Sequence, residues 1–286
     1  MAGVPATDRR LGIGFDVGGS GIKAGLVDIA AGELVGERLR VRTPDPSDPA
    51  AVAVAMHGLL EQLTAGRPAA AGIPVGVGFP AAVIGGVTRT AANVDRSWVG
   101  YPAELELARR LEHPVAVGND ADVAGLAEMR FGAGRGAVGT VMVLTIGTGI
   151  GSALFVDGRL VPNTELGHLE MRGKDAERRA SDAARMRRKL SWGAWAKVFD
   201  EYLHLVQHLF WPDLFILGGG VSKRSERFVP RLTIDVPVVP AQLLNDAGIV
   251  GAAIVAHERF GRPAGRGRGR PSRGPAAARP DEAASA

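Results

Sequence analysis

Two glycine turns, each set between apolar runs, are the first places in this chain where chemistry can sit. One lies in "IGFDVGGSGIKAGLVD", residues 13–28. Glycines let a backbone approach a ligand closely and aim N–H groups at it. Gly18, Gly19 and Gly21 do that here, Ser20 adds a hydroxyl donor and Lys23 adds charge. Asp16 cannot face a phosphate favourably. It suits a Mg²⁺ that accompanies one, bound directly or through water. The stretch is neither a GxxxxGK[ST] loop nor a Rossmann fingerprint, because a strand and not a helix follows. Alone, it is equally an ordinary glycine hairpin with a surface acid and lysine. The second turn is "LTIGTGIG", residues 144–151, where Gly147, Gly149 and Gly151 alternate with Thr145 and Thr148. Two such hairpins can hold one run of phosphates from both sides. A third glycine run, "ILGGGVSK" at 216–223, ends a strand with Gly218, Gly219 and Gly220. There Ser222 is placed to cap a following helix, and Lys223 adds charge. Bare backbone at a helix start suits a nucleotide or another anion.

Carboxylates supply the complementary chemistry. In "VGNDAD" a buried strand delivers Asn119 and Asp120 to the first turn of a helix. An acid at that place is expected to stay ionised and to accept a proton from a substrate hydroxyl. The competing reading is a simple helix cap. "NTELGHLEM" concentrates Glu165, His168 and Glu170, and "AANVDRSWVG" offers Asn93. Carboxylates, imidazole and amide together hydrogen-bond several hydroxyls at once, as a sugar requires. His168 is otherwise a loop histidine or a metal ligand. No second histidine or cysteine stands at ligand spacing from it.

The elements that must position these groups read as α/β. Three hairpin-linked strands are expected over residues 11–42, then the helix "DPAAVAVAMHGLLEQLTAG" opened by Asp48 and Pro49. Buried strands "IPVGVGFP" and "HPVAVGN" flank the helix "YPAELELARRLE", and the helix "DADVAGLAEMRFG" follows. A second α/β unit begins near residue 114 or 138, and a strand–turn–strand follows residue 138. The helix "WAKVFDEYLHLVQHLFW", the strand "DLFILGG" and the helix "GIVGAAIVAHERF" complete the pattern. The aromatic content of the first of these helices fits an interface or a core. Strand, small-residue turn, strand thus occurs twice, which predicts a duplicated α/β architecture with a cleft between halves. The expected division is a flexible 1–10, a small domain over 11–117, a large one over 118–246, a closing helix over 247–261 and a disordered tail over 262–286.

Composition narrows the classes further. The chain of 286 residues is 46% hydrophobic and 22% charged, as soluble globular proteins are. It carries no cysteine, which removes disulfides, thiolate catalysis and Cys-ligated zinc. No apolar run spans a membrane and no signal core opens the chain, so the cytoplasm is the expected compartment. The net charge of +4 resides in the tail from Arg262, which holds six arginines against Asp281 and Glu282. The tail has almost nothing to bury. Its arginines can touch phosphates, yet a solvated terminus is the plainer reading and nucleic acid is not the expected partner. Residues 172–189 carry eight basic and three acidic side chains, a net +5, inside an otherwise acidic body. Read as one helix, Lys174, Arg178, Arg185 and Lys189 fall near one face over about 20 Å. Lys223, Arg224, Arg227 and Arg231 make a second stripe. Both suit an extended anion; the alternative is a solvated arginine-rich surface.

"FDVGGSGIKAGLVD", "GFPAAV", "NVDRSW", "VGNDADVAGLAE", "LTIGTGIG", "TELGHLE" and "GGGVSK" occur in the order that resembles the ROK family of sugar kinases, and more closely its polyphosphate glucokinases. The resemblance covers roughly residues 11–260. It implies a two-domain actin-like, ribonuclease-H-like ATPase fold with mixed sheets and a central cleft. It also implies phosphoryl transfer from polyphosphate, or ATP, to O6 of glucose with Mg²⁺, and a homodimer. Carried across position by position, residues 16–23 and 144–151 match the phosphate motifs and Gly218 to Gly220 the adenosine-side motif. Asp120 matches the catalytic base. Asn93, Asn119, Glu165, His168 and Glu170 match the sugar positions. The family's cysteine-rich zinc loop is replaced here by the basic segment, so no zinc is expected. An ATP-only kinase remains a rival. A sugar-sensing regulator would need an N-terminal helix-turn-helix, and about ten residues precede the first strand.

Overall fold

The computed structural model describes residues 10–67, 70 and 72–261. The expected flexible start and the Arg/Gly/Pro/Ala tail lie outside them. Two mixed sheets form the frame. The first is ordered β3 (Glu33–Leu34), β2 (Gly21–Asp28), β1 (Leu11–Gly18), β5 (Val75–Phe79), β8 (Val115–Asn119), with β4 (Leu39–Val41) also on β2. The second is ordered β11 (Arg159–Val161), β10 (Ile150–Val156), β9 (Thr140–Ile146), β12 (Leu214–Gly219), β13 (Val238–Pro240). Each opens with an antiparallel hairpin and continues with parallel strands. A small hairpin of β6 (Val83–Ile84) and β7 (Val87–Thr88) stands apart. The expected third strand of the first meander is two short pieces, β3 and β4, separated at Gly36 where φ is +93°.

Near-continuous burial along β1, β2 and β5 shows why apolar runs, and not alternation, mark these strands: both faces are covered. On one face lie α1 (Pro49–Thr64) and α2 (Ala103–Leu111). Asp48 caps α1 by accepting from the N–H groups of Ala50 and Ala51, with Pro49 in its first turn, as expected. On the other face lie α3 (Asp120–Phe131) and α7 (Ala247–Phe260). α7 approaches so closely that a Cβ on Gly14 would stand 1.9 Å from the Ile249 carbonyl oxygen, and one on Gly76 1.8 Å from that of Ala252. The closing helix therefore returns to the first sheet. Glu128, buried in α3, accepts from the N–H groups of Ala133, Gln242 and Leu243 at 2.7–3.0 Å. Its loss would strand three donors, a cost on the order of 3 kcal/mol or more.

The second sheet is covered by α6 (Trp192–Phe210), whose Trp195, Phe199 and Tyr202 are fully buried. That helix is core along most of its length; Leu209 and Trp211 at its end are exposed. The segment 172–189 is not one helix. It forms α4 (Glu177–Ala180) and α5 (Asp182–Arg187), split at Ser181, which is extended (ψ 163°) and caps α5. Lys174 and Lys189 lie outside both helices, and Lys189 has φ +51°. Ser222 caps no helix either. It lies inside a kinked 3-10 stretch, Gly220–Arg227, and donates back to the Gly219 carbonyl at 2.8 Å. Among the described residues no helix is long and apolar enough to cross a membrane.

Candidate functional site

The site begins where strands end. β1 runs parallel to β5, and β5 to β8, with Asp16 opposite Gly78 and Phe79 opposite Asn119. Two strand spacings put Asp16 about 10 Å from Gly118 at backbone level, and Asp120 follows two residues on, at the carboxyl edge where α/β sheets hold ligands. Asn119, and not Asp120, caps α3: its Oδ1 accepts from the N–H groups of Ala121 and Asp122 at 2.9 and 3.1 Å. Capping is therefore done by the neighbour, which leaves Asp120 for chemistry. Asp120 accepts one further N–H, from Ala121 at 2.7 Å.

The expectation that Asp120 stays readily ionised is corrected. Burial first, then the charge of Asp16 and those of Glu165 and Asp122, push its carboxyl up to about 7. Asp122 is also pushed up to about 7, again by burial and by Glu165. One of its oxygens is buried without a partner among the described residues. A helix N-terminus cannot offset several acids crowded into a half-dry cleft.

Glu165 belongs to this group. Its Oε1 is 3.5 Å from Nδ2 of Asn119, which also donates to the Ala81 carbonyl. Burial raises the carboxyl of Glu165, opposed by His168, whose Nε2 lies 3.8 Å from it. His168 turns its other nitrogen to Asp175 at 3.4 Å. Ligand atoms of His168, Asp175 and Glu177 lie within 4.8 Å of one another. Asn93 sits at φ +60° in a loop whose backbone packs on Gly19. Glu170 is the outlier. It is exposed and bridges Asp175 through its backbone, and among the described residues no hydrogen bond or ion pair joins its side chain to the cluster.

The glycine turns converge on the same place. In the first, Gly18 faces Gly21 and Asp16 faces Lys23, whose Nζ is 2.6 Å from Asp16 Oδ2. The two side chains expected to serve phosphate and metal separately thus hold each other, and among the described residues only one Asp16 oxygen is engaged. Ser20 is exposed at the tip. In the second, a Cβ on Gly151 would stand 2.8 Å from Ala121, so β10 lies against the start of α3. Gly218 and Gly219 pair with Thr145 and Ile146. Gly219 has φ +76°, and a Cβ there would stand 2.3 Å from the Ile146 carbonyl oxygen, so glycine is required. Among the described residues nothing lies within 4 Å of where a Cβ on Gly147 or Gly220 would stand, so both of those turns are open on that side.

Residues 12–183 match the ROK family, well over half of the 286-residue chain. The chain belongs to the ROK family. A polyphosphate glucokinase of Mycobacterium tuberculosis is 47% identical over 250 residues, 87% of this chain and 92% of that protein. The crystal structure of an inorganic polyphosphate/ATP-glucomannokinase from Arthrobacter sp. strain KM superposes with TM-score 0.84 and 52% identity, covering 87% of this chain and 99% of that one. A ROK family glucokinase from Streptomyces griseus, solved with glucose and AMPPNP, has TM-score 0.73 and 25% identity, covering 87% and 100%. The expected actin-like two-domain fold of ROK sugar kinases is the fold observed.

The basic segment of this ROK chain is strapped to the second turn. Glu177 accepts from the Ile150 N–H at 3.2 Å, and the Ala183 N–H donates to the Gly147 carbonyl at 3.1 Å. Several of its cations are already occupied. Arg172 pairs with Glu201, Arg179 donates to the carbonyls of Met171 and Arg172, and Arg185 pairs with Asp182 and lies 4.2 Å over the Trp192 ring. Trp192 in turn stacks on Phe228, beside the exposed Arg227. The two basic stretches therefore meet across an aromatic seam, although the single-helix stripe does not exist. Sequence reasoning missed Arg40, on β4 opposite Lys23 and within 2.7 Å of where a Cβ on Gly21 would stand. It also missed Thr43, which donates to the Gly18 carbonyl at 2.5 Å, and Glu177. Only contacts between segments remote in the chain reveal them.

Proposed function

We propose that the chain transfers the terminal phosphoryl group of inorganic polyphosphate, with ATP as an alternative donor, to O6 of glucose, giving glucose 6-phosphate. The observation that carries this reading is the place of Asp120. It is freed from capping by Asn119, and it stands beside Asp16 of the first glycine turn, at the helix start that packs on Gly151 of the second, and near Glu165. Asp120 takes the proton of the sugar 6-hydroxyl as that oxygen attacks the terminal phosphorus. The bond to the bridging oxygen breaks, and its electron pair leaves with the shortened donor. Asn93, Asn119, Glu165 and His168 orient the sugar; Glu170 has the weakest claim. The backbone of residues 18–21 and 147–149, with Lys23, Thr145 and Thr148, holds the phosphates.

The cleft acids fit a hard divalent cation: Asp16, Asp120, Asp122 and Glu165 crowd together, and one Asp16 oxygen is unengaged by Lys23. Asp16 would hold Mg²⁺, which offsets charge on the transferring phosphoryl group when bound. The names of the Mycobacterium and Arthrobacter relatives support the polyphosphate donor. So does the basic segment docked on the second turn, where Lys174, Arg188 and Lys189 are exposed and make no ion pair among the described residues. A cytoplasmic homodimer belongs to the same proposal, the exposed Leu209 and Trp211 offering apolar surface for the contact.

The test is glucose phosphorylation by nucleotide-free protein with long-chain polyphosphate and with ATP in parallel, Mg²⁺ present. Activity with polyphosphate that Asp120→Asn lowers by roughly 10³-fold is expected. Activity with ATP alone would leave an ATP-only kinase, and near-normal turnover in the variant would remove Asp120 as base. A base held near 7 works deprotonated, so kcat/KM should rise with pH through that region and level off above it.

A further inference from the structure

The loop that carries Glu165 and His168 is fixed at two points. On one side Ser152, buried in β10, donates to the Thr164 carbonyl and accepts from the Leu166 N–H, while the Thr164 hydroxyl donates to the Ser152 carbonyl. That anchor lies wholly within the second sheet and its loops. On the other side stands Asn163. Its Oδ1 accepts from the Val83 N–H at 2.8 Å, and its Nδ2 donates to the Val83 carbonyl at 3.0 Å. Its own N–H donates to Asp122 Oδ2 at 2.8 Å. One amide thus satisfies both backbone groups of a residue eighty positions away, as a neighbouring strand would, while its backbone is tied to the helix that starts at Asp120. The conformation is specific as well: Asn163 has φ +59°, a region that asparagine and glycine tolerate and other residues occupy only with strain.

We infer that Asn163 is a positioning residue for the sugar site, an amide strut between the β6–β7 hairpin and the Glu165–His168 loop that sets where those two side chains stand relative to Asp120. The inference rests on the sugar-site reading above. Neither a shorter nor a longer side chain reproduces the strut. Alanine removes both hydrogen bonds and adds strain at positive φ. Aspartate keeps the acceptor but sets a carboxylate against the Val83 carbonyl. Glutamine carries the amide one carbon too far.

The discriminating variant is Asn163→Gly, which keeps the left-handed backbone and the N–H to Asp122 and deletes only the strut. Steady-state kinetics would be measured against glucose and against the phosphoryl donor separately, with the thermal midpoint, and with Glu165→Gln in parallel. The expected result is a rise of about tenfold in KM for glucose, donor KM unchanged within about twofold, kcat lowered less than KM is raised, and a midpoint close to the parent's. An unchanged glucose KM in Asn163→Gly beside a raised one in Glu165→Gln would overturn the strut and leave the sugar site standing. No change in either variant would overturn the sugar-site reading and the strut with it. Equal rises in both KM values with a lowered midpoint would mean general loosening, and would also overturn the strut.

Discussion

The two glycine turns look alike in sequence and are built differently. The first carries its charges on its own strands, since Asp16 and Lys23 face each other across β1 and β2. Its neighbours, Thr43 on Gly18 and the Asn93 loop on Gly19, support it from within the first sheet's side of the molecule. The second has hydroxyls and glycines but no charge of its own. It borrows charge from residues 172–189, attached through Glu177 and Ala183. The first turn is therefore suited to what every donor shares, a terminal phosphate with its metal. The second is suited to what distinguishes one donor from another, the length of the anion beyond it.

Breaking the first turn should have the largest effect. Asp16→Asn keeps the shape and a contact to Lys23 but removes the carboxylate proposed to hold Mg²⁺, and kcat should fall by on the order of 100-fold with polyphosphate and ATP alike. A loss confined to one donor would contradict the division of labour. Glu177→Gln tests the strap. It weakens the hold on Ile150 N–H and should lower kcat/KM about tenfold for polyphosphate while sparing ATP within about threefold, measured side by side. Smallest should be the pair Lys174→Ala with Arg178→Ala. Both side chains are exposed, and among the described residues the Arg178 side chain has only a distant ion pair of 3.9 Å with Asp175. KM for long polyphosphate should rise about threefold and its salt dependence flatten, while ATP kinetics stay put. An unchanged salt dependence would reduce the segment to a solvated surface.

Much of this was legible in the residues. Apolar runs bounded by Gly, Asp and Pro mark β1, β2, β5, β8, β9, β10 and β12, because strands covered on both faces cannot show alternation. The Asp48–Pro49 start of α1 is local chemistry and reads directly. The Asn119–Asp120 pair was also visible, but which of the two would cap α3 was not, since that depends on backbone direction at the strand end. The basic segment misled for a related reason. Charge spacing fits a helix, yet Ser181 can cap a new one, and docking on residues 147–150 places that break.

By itself, then, the sequence determined the kinds of groups present and their order: three glycine runs, a cleft acid, a sugar-suited loop and an excess of cations, because side-chain chemistry and strand-and-turn propensities are written locally. Tertiary structure alone decided their relations. It paired Asp16 with Lys23, buried Asp120 beside three other acids so that its carboxyl is pushed up to about 7, consumed Arg172, Arg179 and Arg185 in internal contacts, and joined Asn163 to Val83 across eighty residues. Those outcomes depend on burial and on distances between segments remote in the chain, and neither exists until the sheets and α7 have packed.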